Sequence, residues 1–482
     1  MRNPPLRQGK DGVRRITSQE RGCEHMITET DGNPSLMVLD EALASARNMV
    51  LYRGVLEDHV CGAWLRFVQA CADRLEPQVT GELFSKLFFL LSQAAERPGD
   101  AWQNHLLDLI LYDDNAFTRA AAAGPDRVTA SVREAALGDL CRLQNMFRLD
   151  ASQAAVWSQT ENLGVPGGRP SWRDLAPGRP DAADRDPTDA IRILLQQAPD
   201  WRRCLDKLDA YHRRAGAGLF GRFRAVRWLG RAGRLEGIAE PDPVTMEDLF
   251  GYQSQRAEVL ANTERFLAGW PANNLLLYGD RGTGKSSTVK ALLNRYQEGA
   301  LRLVEVAKSD LKDFPRIMRE LRNRPQRFIL FVDDLSFEEG ETEYKELKAV
   351  LEGGLESRSS NVVIYATSNR RHLVREHFAD RQPEYGEDGE VRIGDTVQEK
   401  LSLADRFGIT VLFIAPDKPL FLEIVRGLAG RRGITVPVDE LERRALLWEV
   451  WQNGRSGRSA RQFIDYLCAE EASPAGQGGS ND

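Results

Sequence analysis

The chain has 482 residues, of which 42% are apolar and 28% charged, with a formal net charge of −6 and an isoelectric point near 5.8. That length exceeds what one hydrophobic core spans and predicts roughly two to four domains of ordinary globular composition. The acidic balance argues against a protein that coats polyanions, although local basic patches remain open, and no apolar run approaches the ~18 residues a membrane-spanning helix needs.

In chain order, residues 1–34 are polar and rich in Arg, Gly and Pro, which predicts a disordered tail with Met26 as an alternative start. They lack the apolar stretch of a secretory signal. From 35 to 158 the pattern is helical. Val60, Trp64, Phe67, Val68 and Cys71 fall on one face, as do Leu83, Phe84, Leu87, Phe88 and Leu91, and again Val132, Ala136, Leu140, Leu143 and Phe147. These stripes predict an all-α N-terminal domain of about four to six helices, with the aromatics as core. Residues 159–187 carry many Pro, Gly and charged residues and predict a linker. Residues 188–240 read as a helix from Thr188 to His212 followed by a basic connector. Arg213–Arg234 holds seven arginines and no acid, interleaved with Phe220, Phe223 and Trp228. Two readings stand there: a nucleic-acid surface with aromatics for stacking, or a connector whose aromatics dock inward while the arginines stay solvated.

Residues 241–416 alternate strand and helix. LRLVEVA (301–307), FILFVDD (328–334), NVVIYATSN (361–369) and ITVLFIAP (409–416) read as strands. Ser309–Arg324 reads as a helix, as does Glu341–Glu356 with Tyr344, Leu347, Leu351 and Leu355 inward. Strands apolar throughout and separated by helices specify a parallel sheet covered on both faces. Residues 417–470 are helical again, and 471–482 predict a disordered tail. Six scattered cysteines (Cys23, Cys61, Cys71, Cys141, Cys204, Cys468), with no C-x-x-C, read as reduced thiols in a cytoplasmic protein.

The chemistry concentrates at 274–290, NLLLYGDRGTGKSSTVK. Gly279, Asp280, Arg281, Gly282, Thr283, Gly284, Lys285 and Ser286 satisfy G-x-x-x-x-G-K-[ST], preceded by an apolar strand and followed by Ser287 and a helical run. Glycines let backbone N–H groups turn inward around phosphate oxygens, and the helix N-terminus favours the same anion. Lys285 is placed to reach the β- and γ-phosphates, and the Ser286 hydroxyl to ligate Mg²⁺. Asp333 closes an apolar strand 48 residues after Lys285, where a carboxylate shares that cation. Asp334 follows, placed to polarise an attacking water, with Glu338 a weaker substitute. An adenine pocket is expected around Leu249–Tyr252.

This series of motifs resembles an AAA+ ATPase. ATSN (366–369) stands where that family has sensor 1, which implies that Asn369 orients water or feels the γ-phosphate. EKLSLADRFG (399–408) stands where the family puts its arginine finger, and Arg406 matches. GRSGRSARQF (454–463) is similar to sensor 2, with Arg461 the best match and Arg458 second. The phrases GDRGTGKSS, VDDLSFE, ATSNRRHL, EKLSLADRFG and GRSARQF resemble a bacterial branch of that superfamily known as a domain of unknown function, over about residues 185–470. The resemblance implies a three-layer α/β P-loop sandwich with a C-terminal helical lid, use of ATP and Mg²⁺, and a homo-oligomer in which Arg406 serves a neighbouring subunit. It implies ATP hydrolysis coupled to remodelling or loading of a macromolecule, with the helical domain capturing a protein partner. A nucleotide-gated interaction protein with little hydrolysis is the alternative suggested by the short acid Asp334. A DNA-binding loader is a third, suggested by the Asp-Asp pair and the arginine cluster. Protein-threading rings carry an aromatic–aliphatic–Gly loop where this chain reads AKSDLKDFPRIM (307–318), so threading is disfavoured. His372 and His377 are expected at the surface.

Overall fold

The computed structural model describes residues 34–150, 170–176, 188–297, 299–322, 324–337, 343–352, 359–369, 384–385, 391–392, 403–451 and 454–472. The expectations for residues 1–33 and 473–482, Glu338, His372 and His377 lie outside these residues; residues 471–472, placed in the disordered tail, instead complete the last helix.

Six helices open the described chain: α1 (Pro34–Arg47), α2 (His59–Ala72), α3 (Pro77–Ala94), α4 (Ala101–Leu111), α5 (Ala116–Ala123) and α6 (Ala130–Phe147). Their starts are written locally. Asp58, Asp100, Asn115 and Thr129 each accept first-turn amides, satisfying donors a helix leaves unpaired. The expected apolar stripes form the core, centred on Trp64 and Trp102, whose rings stack 4.3 Å apart. Buried Asp139 accepts from the amides of Val50, Leu51 and Tyr52 and from Arg142, which ties the entry of the domain to α6.

Two expectations near this domain fail. Residues 170–176, placed in a linker, are packed: Trp172 is 1% exposed and sits against Phe67 and Phe84. The single helix from Thr188 to His212 is two, α7 (Asp189–Gln197) and α8 (Leu205–Ala215), with a 3₁₀ turn at Trp201–Cys204. Pro199 explains the break, because it lacks an amide N–H and forces the preceding Ala198 into extended backbone. Ile191, Leu195, Trp201, Leu205 and Leu208 join the same core, so the helical unit continues to about residue 215.

The basic segment is corrected as well. It holds a one-turn helix, α9 (Leu219–Arg222), and two strands, β1 (Ala225–Leu229) and β2 (Arg234–Ile238), which belong to the sheet. Phe220 and Trp228 are buried and Phe223 packs beside them. Several arginines face outward onto acids: Arg213 pairs with Asp209, Arg222 with Glu96 and Arg227 with Glu305. The aromatics are core and offer no stacking platform. The α/β core therefore starts near 225, ahead of the expected 241.

Apart from a two-residue antiparallel pair, Glu384–Tyr385 with Val391–Arg392, the α-helices and strands that follow are α10 (Gln253–Leu267), β3 (Leu275–Gly279), α11 (Lys285–Arg295), β4 (Leu301–Glu305), α12 (Phe314–Leu321), β5 (Arg327–Val332), α13 (Glu343–Glu352), β6 (Val362–Ser368), β7 (Ile409–Phe413), α14 (Lys418–Arg432), α15 (Val438–Trp451) and α16 (Gly457–Ala472). Among the described residues the main sheet runs β2-β1-β4-β5-β6-β3-β7, parallel throughout except for the β1–β2 hairpin. Alternate residues of each strand enter different layers. Leu275 and Leu277 face the layer containing α10, α11 and the lid helices α14–α16. Leu276 faces the layer of α12 and α13. Phe314, where a threading loop would expose an aromatic, is buried in that second layer.

The helical unit docks on the sheet through buried Arg302, which donates to the carbonyls of Phe220 and Ala215, and through Arg324, which bonds Asp114. His212 is buried at this junction, its Nδ1 donating to the Gly216 carbonyl at 3.1 Å. Burial pulls its pKa down to about 4. Since the unfolded chain binds that proton from about pH 6.5, this histidine's stability contribution is complete above pH 6.5 and is lost as pH falls towards 4. Urea midpoints are expected to show an acid loss of about 3 kcal/mol in that window that His212→Gln removes. Trp64→Ala is expected to destabilise the helical unit by about 3–5 kcal/mol, measured by urea unfolding.

Candidate nucleotide site

Parallel β3, β5, β6 and β7 bring their carboxyl ends to one rim, where open α/β sheets hold ligands. The loop from β3 to α11 lies on that rim. Gly279 has φ +127° and a Cβ there would lie 2.0 Å from the Phe413 carbonyl oxygen, so only glycine lets β3 leave the sheet beside β7. Gly284, at φ +89°, caps α11 and turns the loop into the helix.

Lys285 opens α11. Its Nζ donates to the carbonyls of Gly279 (2.9 Å) and Asp280 (2.6 Å) and to Asn369 Oδ1 (3.2 Å). Burial lowers its pKa, while Asp280, Asp334 and Asp333 act in the opposite direction. A cation held this way, facing carboxylates across a cavity, is poised to follow an anion that enters.

Across the loop the acids are organised around a single oxygen. Asp333 Oδ1 accepts from Ser286 Oγ at 2.6 Å and from Thr367 Oγ1 at 2.5 Å. Thr367 in turn accepts the Asp334 amide at 3.0 Å. Asp334 has φ +51°, a costly backbone for a non-glycine residue, and its Oδ1 accepts from Asn369 Nδ2 at 2.6 Å. Ser286 and Asp333 are adjacent hard oxygen donors, which suits Mg²⁺, a cation bound through one or two protein oxygens, substrate phosphates and waters.

These groups line one cavity of about 700 Å³, the size of a small-ligand pocket. Arg281, Gly282, Thr283, Gly284, Lys285, Ser286 and Ser287 form its floor, Asp333, Asp334, Thr367 and Asn369 one wall, and Arg458 and Arg461 enter from the lid. Asp248, Leu249, Phe250, Tyr252, Ile424 and Leu428 add a mostly apolar wall, so the stretch expected to hold a base borders the cavity. Tyr252 adopts φ +53°, packs its ring at a tilt against Phe413 and donates its hydroxyl to the Ile414 carbonyl. The lid is seated directly on the loop: the Arg458 amide donates to the Gly282 carbonyl at 3.2 Å.

The structure thus brings Lys285, Ser286, Asp333, Asp334, Asn369, Arg458 and Arg461 together. Gly279 and the Asp280 side chain stand outside the cavity lining, the latter accepting from the Ala415 amide. Arg406, half-buried after the short helical turn at 403–405, is also not part of the lining. Sequence reasoning missed Thr367, although it lies inside the ATSN phrase, and it missed Arg256, Ile424 and Leu428, for which helical patterning gives no signal.

The family description "Protein of unknown function (DUF815)" matches residues 221–471, more than half of the chain. The chain belongs to this family. The DUF815 region begins at the sheet's first strand and ends with the last lid helix, so it covers the whole site and leaves the helical unit outside. Sheet order, phosphate loop, acidic strand end and lid make this an α/β P-loop fold with a C-terminal helical lid. Solved structures to which the chain is similar include the RuvB Holliday junction branch migration motor of Thermotoga maritima, 15% identical, with 48% of this chain and 67% of that one covered at a TM-score of 0.34. Two point mutants of that motor match at 15% and 16% identity, each with 48% of this chain and 67% or 68% of theirs covered and a TM-score of 0.34. No functionally curated protein matches the chain. No helix among the described residues is long and apolar enough to cross a membrane.

Gly282 has φ +75°, and a Cβ there would stand 3.1 Å from Ser456 Cβ and 3.2 Å from Arg458 Cβ. Gly282→Ala is therefore expected to strain the loop and push the lid off it, weakening Mg–ATP binding about tenfold in calorimetry.

Proposed function

We propose that this DUF815 protein is a Mg²⁺-dependent ATPase whose turnover works on a macromolecular partner. The observation that supports this best is the cavity itself, which gathers a lysine, a hydroxyl–carboxylate pair, a second acid with its amide partner and two lid arginines around a phosphate loop. The loop amides and Lys285 bind and orient the phosphates. Ser286 and Asp333 would hold the cation, which supplies charge neutralisation between the β- and γ-phosphates. Thr367 fixes the Asp333 carboxylate and the Asp334 backbone, so the two acids keep separate roles. Asp334 takes the proton from an attacking water that Asn369 positions, and Arg461, with Arg458 beside it, offsets charge on the transferred group. Because Arg406 is outside the cavity of its own chain, its expected role is across a subunit boundary in a homo-oligomer, while the helical unit recruits a protein partner.

A second reading has one observation in its favour. Asn369 already holds the Asp334 carboxylate at 2.6 Å, which withholds a base and fits a nucleotide-gated interaction protein with slow hydrolysis. Burial of Phe220 and Trp228 takes the stacking aromatics out of the loader reading and leaves it the arginines and the Asp333–Asp334 pair.

Calorimetry with Mg–ATP and steady-state phosphate release test the proposal. Lys285→Ala is expected to abolish binding. Asp334→Asn is expected to bind ATP and lose turnover by about 10²-fold or more. Arg406→Ala is expected to lose the concentration-dependent part of turnover, by about 10³-fold. Absence of ATP uptake by the unaltered protein would end the assignment. Binding with no turnover at any protein concentration would select the gated reading.

A further inference from the structure

Asp280 is the second residue of the phosphate loop, yet its side chain leaves the cavity. Oδ2 accepts from the Ala415 amide at 2.6 Å, and its own amide donates to the Phe413 carbonyl at 2.9 Å. The intervening Ile414 carbonyl is held by the Tyr252 hydroxyl at 2.7 Å. Residues 414–417 are the passage from β7 to the lid, whose first helix, α14, starts with Asp417 accepting the Leu420 amide. The loop also holds the lid's other end, through the Gly282 carbonyl and the Arg458 amide at the start of α16.

A carboxylate next to a polyphosphate is repelled by it, so an acid at this position needs a reason outside phosphate binding. The Ala415 amide supplies one. Meanwhile Lys285 Nζ holds the carbonyls of Gly279 and Asp280, the two residues that abut the exit of β7. An anion that draws the ammonium into the cavity releases those carbonyls, and so changes what holds the loop at the point where the lid is tied on.

We propose that Asp280 is a positioning residue that couples occupancy of the phosphate loop to the lid, by tying the loop to the strand exit at Ala415. This rests on the nucleotide reading above and adds to it the route by which a phosphate is felt in α14. The partner atom is a backbone amide, so an amide oxygen serves as well as a carboxylate, whereas a methyl group does not.

Hydrogen exchange on the full chain, with and without saturating Mg–ATP or Mg–ADP, tests this by following the phosphate-loop peptide (279–290) and the lid-entry peptide (414–428) separately. In the unaltered protein nucleotide is expected to slow exchange in the loop and to change exchange at the lid entry about fivefold or more. Asp280→Asn is expected to keep both responses. Asp280→Ala is expected to keep the loop response at saturation and lose the lid-entry response. Ala415→Pro, which removes the same hydrogen bond from the donor side, is expected to behave like Asp280→Ala. If either of these variants keeps the full lid-entry response, or if the unaltered lid entry ignores nucleotide while the loop responds, the coupling role is overturned and the nucleotide site stands. If the unaltered loop itself shows no response, both fall together.

Discussion

The parallel register of β5, β6, β3 and β7 is the constraint on which the site depends. Parallel strands end on the same rim, so residues from four distant stretches meet there without any of them being adjacent in sequence. Val332 pairs with Ala366 and Leu277 with Thr367, which fixes Asp333 and Thr367 at one height above the sheet. A slip of one residue in β6 would turn Thr367 to the opposite face and leave the Asp333 carboxylate without its hydroxyl partner. Burial of both faces of these strands makes that slip costly, since Leu276, Ile364 and Leu330 fill one layer while Leu277, Tyr365 and Ile329 fill the other.

On that rim the electrostatics are arranged to favour one kind of occupant. Lys285, Arg281, Arg458 and Arg461 surround the cavity; among the described residues that line it the acids are Asp248, bonded to Thr245 and Arg431, and Asp333 and Asp334, tied to Ser286, Thr367 and Asn369. An anion gains from the cations and the helix N-terminus, while a cation has the Ser286–Asp333 pair available. The strained backbones at Asp334 and Tyr252 are retained because neighbouring hydrogen bonds over-determine them: the Asp334 amide to Thr367, and the Tyr252 hydroxyl to Ile414.

The helical unit is joined to this core through carbonyls rather than through an apolar face alone. Arg302 spans two of them, at Ala215 and Phe220, and Arg324 lies over the Phe220 ring while bonding Asp114. A buried guanidinium satisfied by backbone oxygens is costly to expose, so the junction ties the helical unit to the amino ends of β4 and β5.

The local signals in this chain were strong wherever a residue's job is set by its own neighbours. The glycines and lysine of the phosphate loop, the apolar strands and the helical stripes all describe themselves, because backbone sterics and hydrophobic periodicity act over a few residues. The strands at 225–238 did not, because Arg227, Arg231 and Arg234 mask a short pattern in which Val226, Trp228 and Leu235 face one layer and Ala225 the other, and pairing with β4 is a long-range event. Trp172 in a Pro- and Gly-rich stretch was equally silent, since its place against Phe67 and Phe84 depends on helices folded earlier in the chain. The order of residues was enough to determine that a phosphate loop and an acidic strand end are present. Only the folded sheet decided that Thr367 fixes the acid, that Arg256 and Ile424 reach the same cavity and that Asp280 faces the lid, because those relations follow from strand register and helix packing, which no local pattern encodes.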